Sequence, residues 1–188
     1  MAGRLVRPLD GRVVRLEPLE QRHEEQLWAV AQDPLVWRYM RVRGDESREA
    51  FRAWFEAALR DYPFAILVDG VPVGSSSYLN VREDDGVAEI GNTWLGSSAW
   101  GTGANTETKY LLLRNAFDAG FRRVEFKTEA VNERSRAALL GIGATFEGVF
   151  RKHMVVRGGE RRDSAWYSVI DDEWPAVKVA LEQKLRQD

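Results

Sequence analysis

Residues 86–115 read GVAEIGNTWLGSSAWGTGANTETKYLLLRN and combine three local patterns. Residues 87–95 alternate as in a strand, Gly96 and the serines after it end that pattern, and residues 104–117 have the apolar spacing of a helix. The loop before the helix aims free backbone N–H groups outward, with the positive end of the helix macrodipole behind them. Gly101 and Gly103 have no Cβ, so a ligand can approach the main chain closely. The stretch therefore predicts a binding site for an anion, above all a phosphate.

Two familiar phosphate-binding loops fit this stretch only in part. Gly96 and Gly101 have the spacing of a P-loop, but Thr102 and Gly103 stand where that loop needs Lys and then Ser or Thr. This excludes the P-loop. The dinucleotide fingerprint needs a third glycine where Thr106 stands, and an acidic residue after a second parallel strand. A NAD-type oxidoreductase stays open as a weaker alternative.

A third loop fits better. The segment resembles the acyl-CoA pyrophosphate loop of the GNAT superfamily of N-acyltransferases, in the branch that includes the ribosomal-protein alanine acetyltransferases. In that branch Trp-Gly-x-Gly-x-Ala-Thr-Glu commonly follows a strand with Glu-Ile-Gly, and the matching residues here are Glu89, Ile90, Gly91, Trp100, Gly101, Gly103, Thr106 and Glu107. A second block, residues 127–151, matches the family's Asn-x-x-Ser and Leu-Gly-Phe/Ala-x-x-Glu-Gly elements at Asn132, Ser135, Gly143, Ala144, Glu147 and Gly148.

The resemblance implies acetyl-CoA as the acyl donor and no metal. It assigns the contacts with that donor to Trp94, Leu95, Trp100, Gly101, Thr102, Gly103, Ala104, Asn105, Thr106, Asn132 and Ser135. In the family, the side chain at the position of Asn132 holds the pantetheine arm across the gap between two central parallel strands.

Acyl transfer to an amine needs a base for the amine's proton, donors for the oxyanion and an acid for the departing thiolate. Glu89 is the candidate base, and the alternative is a strand carboxylate paired with a neighbouring Arg or Lys. Ser135 is a candidate for assisting the thiolate, and the alternative is that it belongs to a helix start that Asn132 caps. Tyr167 is a weaker candidate acid, and the alternative is a core tyrosine whose hydroxyl is satisfied.

Composition limits the class of protein. With 188 residues, 44% of them hydrophobic, we expect a single domain over residues 1–188. The net charge of -2 is spread along the chain, which disfavours nucleic acid and membrane surfaces as partners. No apolar run reaches the ~18 residues of a membrane span and no signal peptide begins the chain, so the cytoplasm is the expected location. The absence of cysteine excludes a Cys-acyl intermediate, so transfer is direct or uses oxygen.

Hydrophobic patterns along the chain predict an α+β fold. The expected strands cover residues 11–16, 64–68, 73–79, 87–95, 124–130, 146–156 and 164–170, and the expected helices cover residues 19–32, 45–59, 104–117, 133–140 and 173–185. The GNAT resemblance implies the same order: a mixed, mostly antiparallel sheet of about seven strands flanked by helices, with a central β-α-β acyl-CoA site.

The acceptor side is less defined. Three tryptophans lie in or beside the early helices, Trp28, Trp37 and Trp54, and most of them are expected in the core. The family builds its acceptor pocket from the same region, so Trp37 and Tyr39 are candidates to line it. The last hairpin is basic and could hold an acidic substrate or the 3′-phosphate of CoA, although a solvated hairpin is the preferred interpretation; its basic residues are Arg151, Lys152, Arg157, Arg161 and Arg162. His23 and His153 are expected at the surface, and they make an unlikely metal site without cysteine partners.

Three functions from different classes follow. The leading one is an acetyl-CoA-dependent N-acetyltransferase acting on a primary amine, either a small molecule or a protein N-terminus, as a monomer or homodimer. The second is a catalytically silent acyl-CoA-binding or sensor domain. The third is the NAD-type oxidoreductase.

Overall fold

Eight strands form one sheet within residues 1–187, the part of the chain that this computed structural model describes. In sheet order they are β1 (Leu9–Asp10), β2 (Arg15–Pro18), β3 (Tyr62–Val68), β4 (Val71–Arg82), β5 (Val87–Leu95), β6 (Arg123–Glu129), β8 (Glu160–Ile170) and β7 (Thr145–Val156). Every neighbouring pair is antiparallel except β5 and β6, which are parallel. The predicted mixed, mostly antiparallel sheet is confirmed.

The start of the sheet differs from the single strand predicted over residues 11–16. Two short strands lie there instead, and a side chain from a distant part of the chain binds the connection between them. The backbone N–H groups of Arg12, Val13 and Val14 each donate to the carboxylate of Glu107 at 2.7 Å. Glu107 lies far along the chain, so the local pattern gave no sign of this turn.

Six helices accompany the sheet in the described residues: α1 (Glu24–Val30), α2 (Pro34–Trp37), α3 (Arg48–Ala58), α4 (Ala104–Asp118), α5 (Glu133–Gly141) and α6 (Trp174–Gln187). The helix predicted over residues 19–32 is shorter, because a 3-10 turn (Gln21–His23) precedes α1. Helix α2 was not predicted. Asp33 caps it by accepting from the N–H of Leu35, and Pro34 occupies the first helical turn, where its missing N–H has no cost.

Helices cover both faces of the sheet. Successive side chains of β3 enter different cores, with Phe64 and Ile66 in one and Ala65 and Leu67 in the other, as expected for a strand buried on both sides. The larger core lies under α4 and α6. The smaller one, under α1 to α3, is largely aromatic and contains Trp37, Phe51, Trp54, Phe55 and Trp94.

The two parallel strands separate part of the way along. β5 and β6 are paired from Val87 and Arg123 to Glu89 and Glu125, and their pairing stops there. β5 continues to Leu95 and β6 continues to Glu129. Asn92 lies in the part of β5 that no longer pairs with β6, and it has a positive φ of 50°. The register between β5 and β4 also shifts there. Backbone groups of β5 thus face an opening in the middle of the sheet.

Candidate active site

A cavity of about 1550 Å³ occupies the opening between β5 and β6. Its walls come from the part of β5 that does not pair with β6, the loop before α4, the start of α5 and the segment that links α2 to α3. The sequence places these segments far apart, and the fold brings them to one site.

The glycine loop forms one end of the cavity. Gly101 and Gly103 line it with φ values of 77° and 79°, in the left-handed region that favours glycine. A Cβ added at Gly101 would meet no protein atom within 4 Å, so the space beside it is open to a ligand. The N–H groups of residues 101–103 donate to no backbone group in the described residues, and the first turn of α4 follows them. Free donors and a helix N-terminus together suit an anion.

The other predicted loop residues divide into two groups. Trp100, Asn105 and Thr106 line the cavity beside the two glycines. Thr102 and Ala104 support the loop from behind: the Thr102 hydroxyl donates to the carbonyl of Ala99 at 2.8 Å, and Ala104 is fully buried. This arrangement leaves the backbone of the loop, rather than those two side chains, to meet a ligand.

Trp94 and Leu95 also line the cavity, at the end of β5. The carbonyl of Leu95 accepts from Nε1 of Trp100 at 2.8 Å, which joins the end of β5 to the loop. The guanidinium of Arg134 lies 4.2 Å from the centre of the Trp100 ring. A cation from α5 therefore stands beside the glycine loop.

Asn132 and Ser135 line the cavity from the start of α5. Oδ1 of Asn132 accepts from the backbone N–H of Ser135 at 3.1 Å, so the predicted helix cap is present. No described residue hydrogen-bonds the Ser135 hydroxyl or the amide nitrogen of Asn132. Both groups are therefore available to a ligand, because the cap uses only Oδ1 of Asn132 and the backbone N–H of Ser135.

Glu89 lines the cavity at the last position where β5 pairs with β6, and it is 1% exposed. Nζ of Lys127 donates to both of its carboxylate oxygens, at 2.7 and 2.6 Å, and Asn80 donates to one of them at 2.7 Å. A carboxylate has about four acceptor positions, so one stays open. The ion pair that was the alternative interpretation is present, and it leaves room for one further donor.

Tyr167 lies elsewhere. It is 1% exposed in the larger core, and its hydroxyl accepts from Nε of Arg136 at 3.0 Å. It is not among the residues that line the cavity. This placement agrees with a core tyrosine whose hydroxyl is satisfied.

Lys109 of α4 was not predicted as a site residue, although it lines the cavity and is 6% exposed. Its Nζ donates to the hydroxyl of Thr93 at 2.5 Å, and no carboxylate lies within 4.0 Å of it in the described residues. Burial lowers the pKa of Lys109 to about 7, against the opposing charge of Glu89. The sequence alone did not indicate this position, because the burial of α4 on most of its sides comes from how the other elements pack around it.

Trp37 takes the core alternative, and the surface prediction for His23 is wrong. Trp37 is fully buried in the aromatic core, where its Nε1 donates to the carbonyl of Ala31 at 2.8 Å, and only Tyr39 of the predicted pair lines the cavity. His23 is 2% exposed rather than at the surface, because its Nδ1 accepts from the N–H of Glu20 at 3.0 Å in a capping box. His153 is exposed and lies at the edge of the cavity.

The last hairpin is also less solvated than predicted. Arg162 on β8 is 9% exposed and lines the cavity. Burial lowers the pKa of Arg162, although a guanidinium remains charged at neutral pH. Arg157 packs back on the segment after α2, where its backbone N–H donates to the carbonyl of Arg41 at 3.1 Å and its Nη1 donates to that of Met40 at 2.8 Å. The hairpin thus forms a wall of the cavity.

Other classes of site are not indicated in residues 1–187. No group of three or more His, Cys, Asp or Glu side chains in this range is arranged to hold a metal ion. Nor does any of its helices combine the length and the apolar character that crossing a membrane requires.

Comparison with solved structures places the fold among acetyltransferases. The chain is similar to a GCN5-related N-acetyltransferase from Brucella melitensis, with 34% sequence identity and a TM-score of 0.90 over 96% of this chain and 86% of that one. It is also similar to RimJ from Mycobacterium smegmatis in complex with CoA-disulfide, with 24% identity and a TM-score of 0.78 over 95% of this chain and 93% of that one. The self-immunity acetyltransferase MccE for microcin C7, in complex with acetyl-CoA and AMP, has 22% identity and a TM-score of 0.76 over 85% of this chain and 93% of that one. The last two likenesses concern the fold alone.

Sequence comparison agrees. A search among curated proteins found no match. The family model of the acetyltransferase (GNAT) domain matches residues 14–145, which is well over half of the chain. Acetyl-CoA is the acetyl donor of that family, as the resemblance implied. On the shared fold, the glycine loop and this match, the chain belongs to the GNAT acetyltransferase family.

Proposed function

We propose that this protein transfers an acetyl group from acetyl-CoA to a primary amine, on a small molecule or at a protein N-terminus, and that residues 1–188 act as a single catalytic domain. One observation carries the proposal: the same cavity has an anion-binding loop at Gly101 and Gly103 and, where β5 and β6 separate, the buried titratable groups of Glu89 and Lys109. A binding loop and proton-handling groups in one cavity are what acyl transfer to an amine requires.

The loop residues are suited to the phosphates of the donor. The free N–H groups of residues 101–103 and the N-terminus of α4 would bind the pyrophosphate, with the Arg134 cation beside them. The unpaired edge of β5 and the amide of Asn132 would hold the arm that leads to the thioester. When bound, acetyl-CoA supplies an activated acetyl group.

The acceptor amine must lose a proton before it attacks the thioester carbon. Glu89 takes this proton through a water molecule at its remaining acceptor position, because Lys127 and Asn80 occupy the others. The neutral amine then forms the C–N bond, the C–S bond breaks as CoA leaves as the thiolate, and the second proton of the attacking nitrogen passes to that thiolate. Ser135, whose hydroxyl has no partner in the described residues, donates towards the leaving thiolate. No cysteine exists to carry the acetyl group, so the attack is direct.

A second candidate function is a silent acyl-CoA-binding or sensor protein. The observation that favours it is the bidentate pair between Lys127 and Glu89, which gives the carboxylate a structural partner. Such a protein would bind the donor through the same loop and would not transfer its acetyl group.

Two measurements test the proposal. A ligand at ~100 times its dissociation constant adds about 2.7 kcal/mol of stability, so acetyl-CoA should raise the melting temperature, and NAD should not. Release of free CoA thiol is then measured over a panel of primary amines. Thiol release with at least one amine is expected. Stabilisation by acetyl-CoA without thiol release from any amine would favour the silent binding protein, and stabilisation by NAD alone would favour the oxidoreductase.

A further inference from the structure

Arg162 is a buried cation that faces the cavity without a partner. Its side chain is nine-tenths buried and lines the cavity. Its Nε has no hydrogen-bond partner, and within residues 1–187 no carboxylate lies within 4.0 Å of the guanidinium. A buried charge is costly unless another charge or a set of hydrogen bonds compensates it. The cavity therefore contains a cation that no carboxylate among residues 1–187 pairs with.

The groups around Arg162 do not supply that partner. Glu129 and Glu89 both act on its charge, but Nη2 of Arg157 already binds Glu129 at 2.8 Å and Nζ of Lys127 already binds Glu89. His153 adds no negative charge, and its pKa is lowered by burial and by the positive charges of Lys127 and Arg162. This end of the cavity keeps a net positive charge.

The position of Arg162 separates it from the phosphate-binding loop. It pairs across the last hairpin with Met154, and the wall that it helps to form includes Met40 and Arg41. The loop at residues 101–105 lies at the N-terminus of α4, where Arg134 is the adjacent cation. The wall around Arg162 belongs to the segments that remain for the acceptor once the donor occupies the loop and the unpaired edge of β5.

We propose that the acceptor amine carries an anionic group, a carboxylate or a phosphate, and that Arg162 binds this group. The inference rests on the proposed function and names the class of acceptor for it. Arginine suits the task because its planar guanidinium donates two parallel hydrogen bonds to either anion. The same pairing would compensate the buried charge only when the acceptor is bound, so Arg162 selects acceptors by charge.

The test compares amines in pairs that differ only in the anion. Lysine is paired with cadaverine, phosphoethanolamine with ethanolamine, and the dipeptide amide Ala-Glu with Ala-Gln, and kcat/KM is measured for each at saturating acetyl-CoA. The wild-type protein should prefer the anionic member of at least one pair by about tenfold or more, as expected for a hydrogen bond between charged groups. The pair that shows the preference identifies the anion.

Variants assign that preference to Arg162. In Arg162→Gln, the ratio of kcat/KM for the anionic amine to that for the neutral amine should fall to about one, mainly because KM for the anionic amine rises. Arg162→Lys should restore part of this ratio, since lysine keeps the charge but lacks the planar guanidinium. Arg161→Gln is the matched control, because Arg161 is the next residue of β8 and is exposed. It should leave the ratio unchanged. The affinity for acetyl-CoA and the melting temperature of each variant are measured alongside.

The outcomes are distinguishable. Equal use of neutral and anionic amines by the wild-type protein, or an unchanged ratio in Arg162→Gln, overturns this inference and leaves the proposed function in place. A loss of acetyl-CoA affinity in Arg162→Gln also overturns it, because Arg162 would then serve the donor. No thiol release with any amine removes the proposed function and this inference with it. If Arg162→Gln does not fold, the ratio in Arg162→Lys decides.

Discussion

The two ends of the cavity are built in different ways. At the proposed donor end, consecutive backbone groups of residues 101–103 and the first turn of α4 would supply the binding chemistry. At the proposed acceptor end, side chains from distant segments would do so: Tyr39 follows α2, Lys109 is on α4 and Arg162 is on β8. A site made from one continuous loop depends on local conformation. A site made from separate elements depends on how the whole sheet is assembled.

This difference has a consequence for substitutions. A change at the donor end should act through backbone geometry, largely independent of the charge of the side chain. A change at the acceptor end should act through charge and protonation, since Lys109 and Arg162 have no carboxylate partner within 4.0 Å in the described residues. Substitutions at four places in the cavity test the contrast.

The largest effect is expected for Gly101→Val. The added side chain would occupy the open space beside the loop backbone and block the approach of the pyrophosphate, so acetyl-CoA binding should fall by roughly 100-fold or more. Titration calorimetry measures the affinity. Gly70→Val is the matched control, because Gly70 has the same φ of 77° and the same open surroundings but lies in the β3–β4 turn. Equal loss of binding in both variants would mean that backbone strain, and not the blocked site, is responsible.

The same contrast explains what the sequence allowed us to predict. β5 and α4 begin where the patterns indicated. Between the predicted strands 64–68 and 73–79, Asp69 and Gly70 both have positive φ values, as a tight hairpin requires. These features depend on neighbouring residues. The connection after β1 depends on Glu107, from a distant helix, and it was missed.

Burial was the second source of error. Trp37 was a candidate for the cavity and His23 was expected at the surface, yet each is buried with one ring nitrogen bonded to a nearby backbone group. Arg162 was expected to be solvated with the rest of its hairpin, but β8 turns it into the cavity. Alternation along a strand shows which residues share a face. It does not show which face receives a cavity, because the packing of other elements decides that.

The second effect concerns Glu89 at the junction of the two ends. Glu89→Gln keeps the size and removes the proposed base, so the maximal rate should fall by roughly 100-fold with acetyl-CoA affinity intact. Lys127→Met is the companion variant, because it removes the other member of the ion pair and keeps the carboxylate. Steady-state kinetics at saturating substrates compare the two. Equal losses of rate and of melting temperature in both variants would assign Glu89 to structure alone.

The third effect concerns Lys109 and the pH dependence of stability. Its pKa of about 7 in the folded protein lies below the ordinary value of 10.5, so between these pH values the unfolded chain binds the extra proton. The free energy of unfolding therefore rises with pH in this window, by at most about 1.4 kcal/mol per pH unit. Lys109→Met removes this dependence. Its stability relative to wild type should be highest at pH 7 and below, and should decline towards pH 10.

Urea unfolding at a series of pH values measures this difference. Lys178→Met serves as the control, because Lys178 has a side chain that is 41% exposed, and its substitution should give a difference that does not vary with pH. A constant difference for Lys109→Met would show that Lys109 stays protonated in the fold.

The smallest effect is expected at the start of α5, where helix capping and the proposed catalytic role use different groups of the same residues. Ser135 contributes its backbone N–H to the Asn132 cap, and its hydroxyl is not needed for that bond. Ser135→Ala should therefore leave the melting temperature unchanged and lower the maximal rate by about tenfold or less, because the lost interaction forms mainly in the transition state.

Asn132→Ala should cost about 0.5–2 kcal/mol of stability and also weaken acetyl-CoA binding. Asn132→Ser separates these two effects, since serine restores a cap but not the amide nitrogen that faces the cavity. We expect this variant to recover stability without recovering affinity. Recovery of both would reduce Asn132 to a cap, and a wild-type rate in Ser135→Ala at saturating substrates would leave the thiolate without help from α5.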